Sequence, residues 1–275
     1  MKKICATAVM CMAMAIVATS CKKKKEEATP VVPAMSVPGS DAAWAANLMS
    51  TSSPANMSIP VSNMWGVFLL VRLEGGFADT SGQTQFHYED WEEAFFCGDD
   101  GTGLQLPKSV SINGTGVSPT GDHYFTQGLW RNGMLNHWEV TRTGNIPQVS
   151  ANVMDEYPNL NNAAYPDKVS RAGGLSYTFV PAQAAHADSG YVLIHANGQV
   201  VRSNTVSVKF GAKNTAMISK DLLTNMQNEY FSLDNNVFKG GVLEVVVFKD
   251  SIRTFEDKQF LFRSQREIVR KITFN

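Results

Sequence analysis

The chain has 275 residues, 44% of them hydrophobic and 18% charged, with 24 basic against 25 acidic side chains. That balance lacks the basic footprint of a nucleic-acid binder, while the apolar share is ample for a large core. No apolar run approaches the ~20 residues that a membrane-spanning helix needs.

The first predicted element is a leader. Met1-Lys2-Lys3 supplies a positive start, Ile4–Val17 an apolar run of 14 residues, and Ala18-Thr19-Ser20 small residues at a cut. Cys21 follows directly. This order resembles a bacterial lipoprotein signal, in which the cysteine thiol is acylated, with palmitate, and becomes the new N-terminus. The resemblance implies lipidation of Cys21 and attachment to the outer membrane, on its periplasmic or its cell-surface face. Ala18-Thr19-Ser20 also suits the ordinary signal peptidase, which would release a soluble protein. Residues 1–20 are thus expected to be the signal peptide, and 21–60 the lipidated cysteine and a tether.

Within that tether, Lys22–Lys25 beside an acyl chain favour an anionic leaflet by about 1 kcal/mol each. From Ala28 to Pro60 the composition is rich in Pro, Ala, Ser and Met and poor in charge. Such a segment buries too little apolar surface to offset its ordering entropy. It is expected to reach roughly 30–35 Å as a coil. Cleavage removes Lys2, Lys3, Cys5 and Cys11. The mature chain then carries a net charge of −3, and Cys97 is its one cysteine besides Cys21. No intrachain disulfide and no cysteine-based zinc site follow from that count. Cys97, inside Ala94-Phe95-Phe96-Cys97, is expected to pack as a small hydrophobe.

Periodicity predicts strands through the 215 residues that remain. Trp65–Glu74 is apolar on both faces until Arg72, as a central strand should be. Thr84, Phe86 and Tyr88 alternate with polar residues. Ser109–Ile112 runs into Asn113-Gly114, a pair that accepts positive φ and so predicts a hairpin turn. His137–Thr141 and Val149–Val153 alternate again. Leu175, Tyr177 and Phe179 share one face, and Tyr191–Ile194, Thr205–Phe210 and Val242–Phe248 are dense in strand formers. A short helix is expected after Ser219, with Leu222, Leu223 and Met226 inward. Ile268–Phe274 alternates, and the charges within it predict an edge strand. Tyr157–Asp167 is poor in strand formers and marks a boundary between β domains at 61–157 and 158–275.

Some of these segments also carry a resemblance. Val110-Ser111-Ile112-Asn113-Gly114, Trp138-Glu139-Val140 and Ile146-Pro147 occur in that order. Ser170-Arg171-Ala172-Gly173-Gly174, Asp188–Ile194 and Ser203-Asn204-Thr205-Val206 follow. Together they resemble a class of Bacteroidota lipoproteins with immunoglobulin-like sheets. The resemblance implies an all-β fold of immunoglobulin-like β-sandwich type, in two packed or tandem domains, at the cell envelope. It implies no activity.

Candidate chemistry is sparse. The five histidines lack the spacing that puts two imidazoles on one metal, and His186-Ala187-Asp188, the nearest approach, falls in a turn-like stretch. No Gly-x-Ser-x-Gly is present, and no catalytic residue is assigned. Glu89, Asp90, Asp99 and Asp100 are the candidates for Ca²⁺, because clustered carboxylates supply the hard oxygens that ion prefers. Tyr124, Trp130 and Arg131 are the ligand candidates, since aromatic faces beside polar groups stack on sugar rings. Arg263, Arg266, Arg270 and Lys271 are expected on a solvated strand edge. The function expected is a lipid-anchored, non-catalytic envelope protein with a binding or assembly role. A surface glycan-binding accessory lipoprotein and a hydrolase are the alternatives.

Overall fold

The computed structural model describes residues 64–78, 84–96, 105–121, 123–153, 156–233 and 236–275. Cys21, Cys97, Asp99 and Asp100 lie outside them. The chain is all-β, 62% strand and 4% helix, built from large sheets and not from a closed barrel.

The first seven strands are β1 (Met64–Ala78), β2 (Thr84–Phe96), β3 (Val110–Ile112), β4 (Thr115–Thr120), β5 (His123–Thr126), β6 (Asn136–Val140) and β7 (Val149–Val153). Short pieces follow: β8 (Asn159–Leu160), β9 (Lys168–Val169), β10 (Leu175–Thr178) and β11 (Ala184–Ala185). Then come β12 (Ser189–Ala196), β13 (Gln199–Arg202), β14 (Val206–Ser207), β15 (Thr215–Ile218) and helix α1 (Lys220–Leu223). The chain ends with β16 (Glu229–Leu233), β17 (Asn236–Phe255) and β18 (Lys258–Phe274).

The largest sheet runs in the order β13-β12-β17-β18-β1-β2-β5-β4-β3-β6-β7. Its spine is the hairpin β17–β18, closed by Glu256 and Asp257, both at positive φ (48° and 65°). Two successive positive φ values match the right-handed twist of the strands they join. Asn113-Gly114 does the same between β3 and β4, as its sequence predicts, and Asn197-Gly198 between β12 and β13.

β18 overturns one expectation. It is an interior strand, antiparallel to β17 and parallel to β1. Arg263, Arg266 and Arg270 do not guard an edge but pair across strands, while Lys271 is exposed with its ammonium 4.6 Å from the Phe238 ring centre. Arg270 and Arg266 both donate to the Glu74 carboxylate on β1, Arg270 at 2.6 Å. Arg263 grips Asp250 of β17 through two bonds of 2.6 and 2.7 Å. Burial by itself would raise the Glu74 carboxyl, but hydrogen bonds from Arg270 and Arg266 outweigh it and hold it below its usual range.

Alternate residues of β18 also explain where the cores sit. Phe260 and Phe262 join one buried cluster with Phe68, Phe96, Tyr124 and Trp138. Ile268, Ile272 and Phe274 join another with Tyr177, Phe179 and Leu243. Ser264 and Arg266, on the same face, fall between them. The opposite face holds Leu69, Val71, Leu73 and Trp91 in a third buried cluster. Two apolar cores are thus strung along one face of a shared spine, with a polar belt between.

Residues 157–167 lie across that belt. The Arg72 guanidinium sits 4.2 Å from the Tyr157 ring centre, and Arg270 is 4.6 Å from that of Tyr165. The sequence predicts strand-poor character here correctly. The tyrosines nevertheless pack, because each covers a guanidinium that the sheet holds in place. Two smaller departures stand out. Thr205–Phe210 yields only β14 before turning, and in the short α1 region Leu223 and Met226 are buried while Leu222 is exposed.

Candidate functional site

Between β5 and β6 the chain makes a loop, residues 127–135, reversed by Gly128 (φ 75°) and Gly133 (φ 68°). Positive φ is the conformation that a side chain at these two positions would resist. Asn136, fully buried at the start of β6, organises it. Its Oδ1 accepts from the Arg131 N–H at 2.8 Å and from Asn113 Nδ2 at 2.9 Å. Its Nδ2 donates to the carbonyls of Arg131 and Met134 at 2.8 and 2.9 Å. Asn113 in turn donates to the Leu129 carbonyl and accepts from the His137 N–H.

Two further braces come from outside. Glu92 on β2, wholly buried, accepts the Trp130 N–H through Oε1 at 2.8 Å. Asn132 Oδ1 accepts the Tyr157 N–H at 2.8 Å, which ties the loop to the belt. Burial pushes the Glu92 carboxyl up to about 7; backbone bonds from Trp130 and Leu129 oppose the rise, and the charge of Asp90 adds to it. Burial likewise raises the Tyr157 hydroxyl above its ordinary range.

The loop is therefore braced along its backbone and displays two apolar side chains just before β6. Met134 is 56% exposed and Leu135 58% exposed. Nothing in the fold requires apolar side chains there, so their display is a chemical property of the surface. A preorganised backbone carrying exposed apolar groups loses little entropy on docking. Trp130 is half-buried, with its ring against the Phe68–Trp138 core. A cavity lined by Phe68, Leu70, Trp130, Trp138, Phe262 and Ser264 has a volume of about 10 Å³. That is the room of one water molecule, so the cavity admits no substrate.

The residues expected from sequence divide clearly. Tyr124 is 3% exposed, and its hydroxyl donates to the Pro107 carbonyl. It is a core residue and presents no face for stacking, because strand alternation turns it inward beside Phe96. Trp130 and Arg131 are neighbours in the braced loop, with Arg131 exposed. Asp90 is held by Arg72 through two bonds of 2.7 and 2.6 Å. Glu89 lies on β2 with its side chain outside the described residues. Among the described residues no three His, Cys, Asp or Glu side chains converge as metal ligands do. His186 and Asp188 take separate partners, Glu156 at 2.8 Å and Lys209 at 2.9 Å.

The roles of Met134, Leu135, Glu92 and Asn136 are not among the sequence-based expectations. Met134-Leu135 between Gly133 and Asn136 does carry a signal, an apolar pair inside a turn-rich stretch. Asn136 carries none, since its neighbours do not reveal that it is buried. No known protein family matches the chain, and no curated protein is similar to it.

Proposed function

We propose that this chain is a lipid-anchored, non-catalytic protein of the cell envelope, held through Cys21, with immunoglobulin-like sheets that present a binding surface to a protein partner. The observation that carries the binding role is the braced loop, in which the side chains of Asn113, Asn132, Asn136 and Glu92 fix a backbone that holds Met134 and Leu135 in water. The leader, its small-residue cut and Cys21 support the anchor and the outer-membrane location. The two cores strung along one spine support a pair of packed sandwich units, one on each side of Tyr157–Asp167. A glycan-binding role keeps Trp130 and Arg131 as its contacts, and the half-buried ring favours an edge contact over stacking.

Anchor and surface are tested separately. Cys21→Ala is expected to move the protein from the membrane fraction to the soluble fraction and to abolish labelling by radioactive palmitate. Unchanged fractionation together with an unlabelled parent removes the anchor. A photo-crosslinking residue at position 135 is expected to give one discrete adduct in cells, lost when Met134 becomes Ser. A diffuse smear unaffected by Met134→Ser removes the loop as the binding surface.

A further inference from the structure

The most exposed large hydrophobic residue described is Phe210, at 81%. It sits in the turn Lys209-Phe210-Gly211-Ala212, where the Ala212 N–H approaches the Lys209 carbonyl at 3.4 Å and Gly211 has φ 80°. A turn of this shape requires glycine at its third position and places no demand on its second. Phe210 is therefore free to be polar, yet it is an aromatic held at the tip.

The turn adjoins an uncharged face. Asn214, just beyond it, exchanges hydrogen bonds with Phe179: Phe179 N–H to Asn214 O at 3.0 Å, and Asn214 Nδ2 to Phe179 O at 3.2 Å. That pairing sets Lys213 beside Val180, which is itself exposed. The outer face continues along β10 and β15 with Ser176, Thr178, Thr215 and Met217, and the two threonine hydroxyls bond each other at 2.9 Å. Lysines rim it: Lys209, Lys213 and Lys220. Asp188 offsets Lys209 at 2.9 Å, and Asp221 follows Lys220. An aromatic tip and a sheet face of uncharged side chains, with Lys213 at its end, are the elements of a surface that sits at a lipid headgroup layer, ring inserted and ammonium group at the phosphates.

We propose that the Lys209–Lys213 turn and the outer face of β10–β15 form a membrane-contact surface whose occupant is an anionic lipid bilayer. The proposal rests on the lipid anchor argued above for placing a bilayer within reach. A contact of the folded body with the bilayer adds to the affinity of the lipid anchor and restrains the body against the surface. Phe210 and Lys213 supply that contact and fix which side of the body faces the lipid.

The test uses the mature chain with Cys21→Ser, so that the acyl chain plays no part. Co-sedimentation is measured with vesicles of pure phosphatidylcholine and with vesicles containing phosphatidylglycerol. Binding is expected on the anionic vesicles, about tenfold weaker for Phe210→Ser and about fivefold or more weaker for Lys213→Glu. Phe210→Trp is expected to restore it. Both sites are on an exposed turn, so unchanged melting temperatures verify the fold of each variant. Equal binding by parent and Phe210→Ser overturns the proposal, as does binding to neither vesicle. A lipid-independent dimer abolished by Phe210→Ser also overturns it and assigns the face to a second copy of the chain. The anchor reading stands or falls on palmitate labelling of the parent, independently of these outcomes.

Discussion

Raising the pH from 5 to 8 is expected to lower the melting temperature by at least ~5 °C, and Glu93→Gln to remove most of that loss. Glu93 lies on the face of β2 opposite Glu92, beside Leu69 of β1, and is buried. Burial pushes its carboxyl up to about 8, and Glu92 stands at about 7. Both values exceed the 4.5 of an unperturbed glutamate. Between pH 4.5 and those values the folded state keeps protons that the unfolded chain has released. The stability that these two carboxyls contribute is consequently greatest below pH 4.5 and declines as pH rises through 7 and then 8. A tenfold difference in proton affinity between the folded and unfolded states is worth ~1.4 kcal/mol per group. Each kcal/mol in turn moves the melting point of a domain this size by about 2–4 °C.

Glutamine matches the protonated acid in shape and never ionises. Glu93→Gln should equal the parent at pH 5 and exceed it at pH 8. A parent whose melting point is flat across this window, or a variant that keeps the parent's slope, contradicts the burial of a titrating carboxyl there. Glu74 works in the other direction. Its lowered pKa gives stability that is present above pH 4.5 and lost below it, outside this window.

Asn136→Ala is expected to cost about 3–5 kcal/mol in urea unfolding, the largest effect of any single change in the loop. The substitution leaves the Arg131 N–H and the carbonyls of Arg131 and Met134 without their buried partner, and each such group costs about 1–3 kcal/mol. Leu135→Ser, on the same loop but in water, should change stability by less than ~0.5 kcal/mol. The contrast separates the device that holds the loop from the side chains that it displays. A cost below ~1 kcal/mol for Asn136→Ala means that the loop is not braced from within.

Much of the fold is legible in local patterns. Alternation places strands at His137–Thr141 and Val149–Val153, strand-forming side chains place one at Tyr191–Ile194, and Asn113-Gly114 forms the turn that its two residues favour. These features depend on neighbours in the chain, so a sequence expresses them directly. β18 reads wrongly because a charge in a strand has two uses: it can repel a new neighbour at an edge, or it can neutralise an opposite charge on one. Arg266 and Arg270 take the second, and their partner, Glu74, is nearly 200 positions away.

The candidate site divides along the same line. Tyr124 and Trp130 look equivalent as a sequence, two aromatics in loop-like surroundings. One is turned into the core by the pleat of β5, and the other is half-covered because Glu92 holds its backbone against the sheet. By itself the amino-acid order determined the all-β class and the short strands β3, β6, β7 and β10, and the proposed leader and anchor at Cys21 rest on it alone. Each of these follows from composition or from residues a few positions apart. Only the tertiary structure decided that β1 lies parallel to β18, that Tyr157–Asp167 caps a belt of paired charges, and that Met134, Leu135 and Phe210 face water. Those outcomes are set by long-range pairing and burial, which no local window of residues contains.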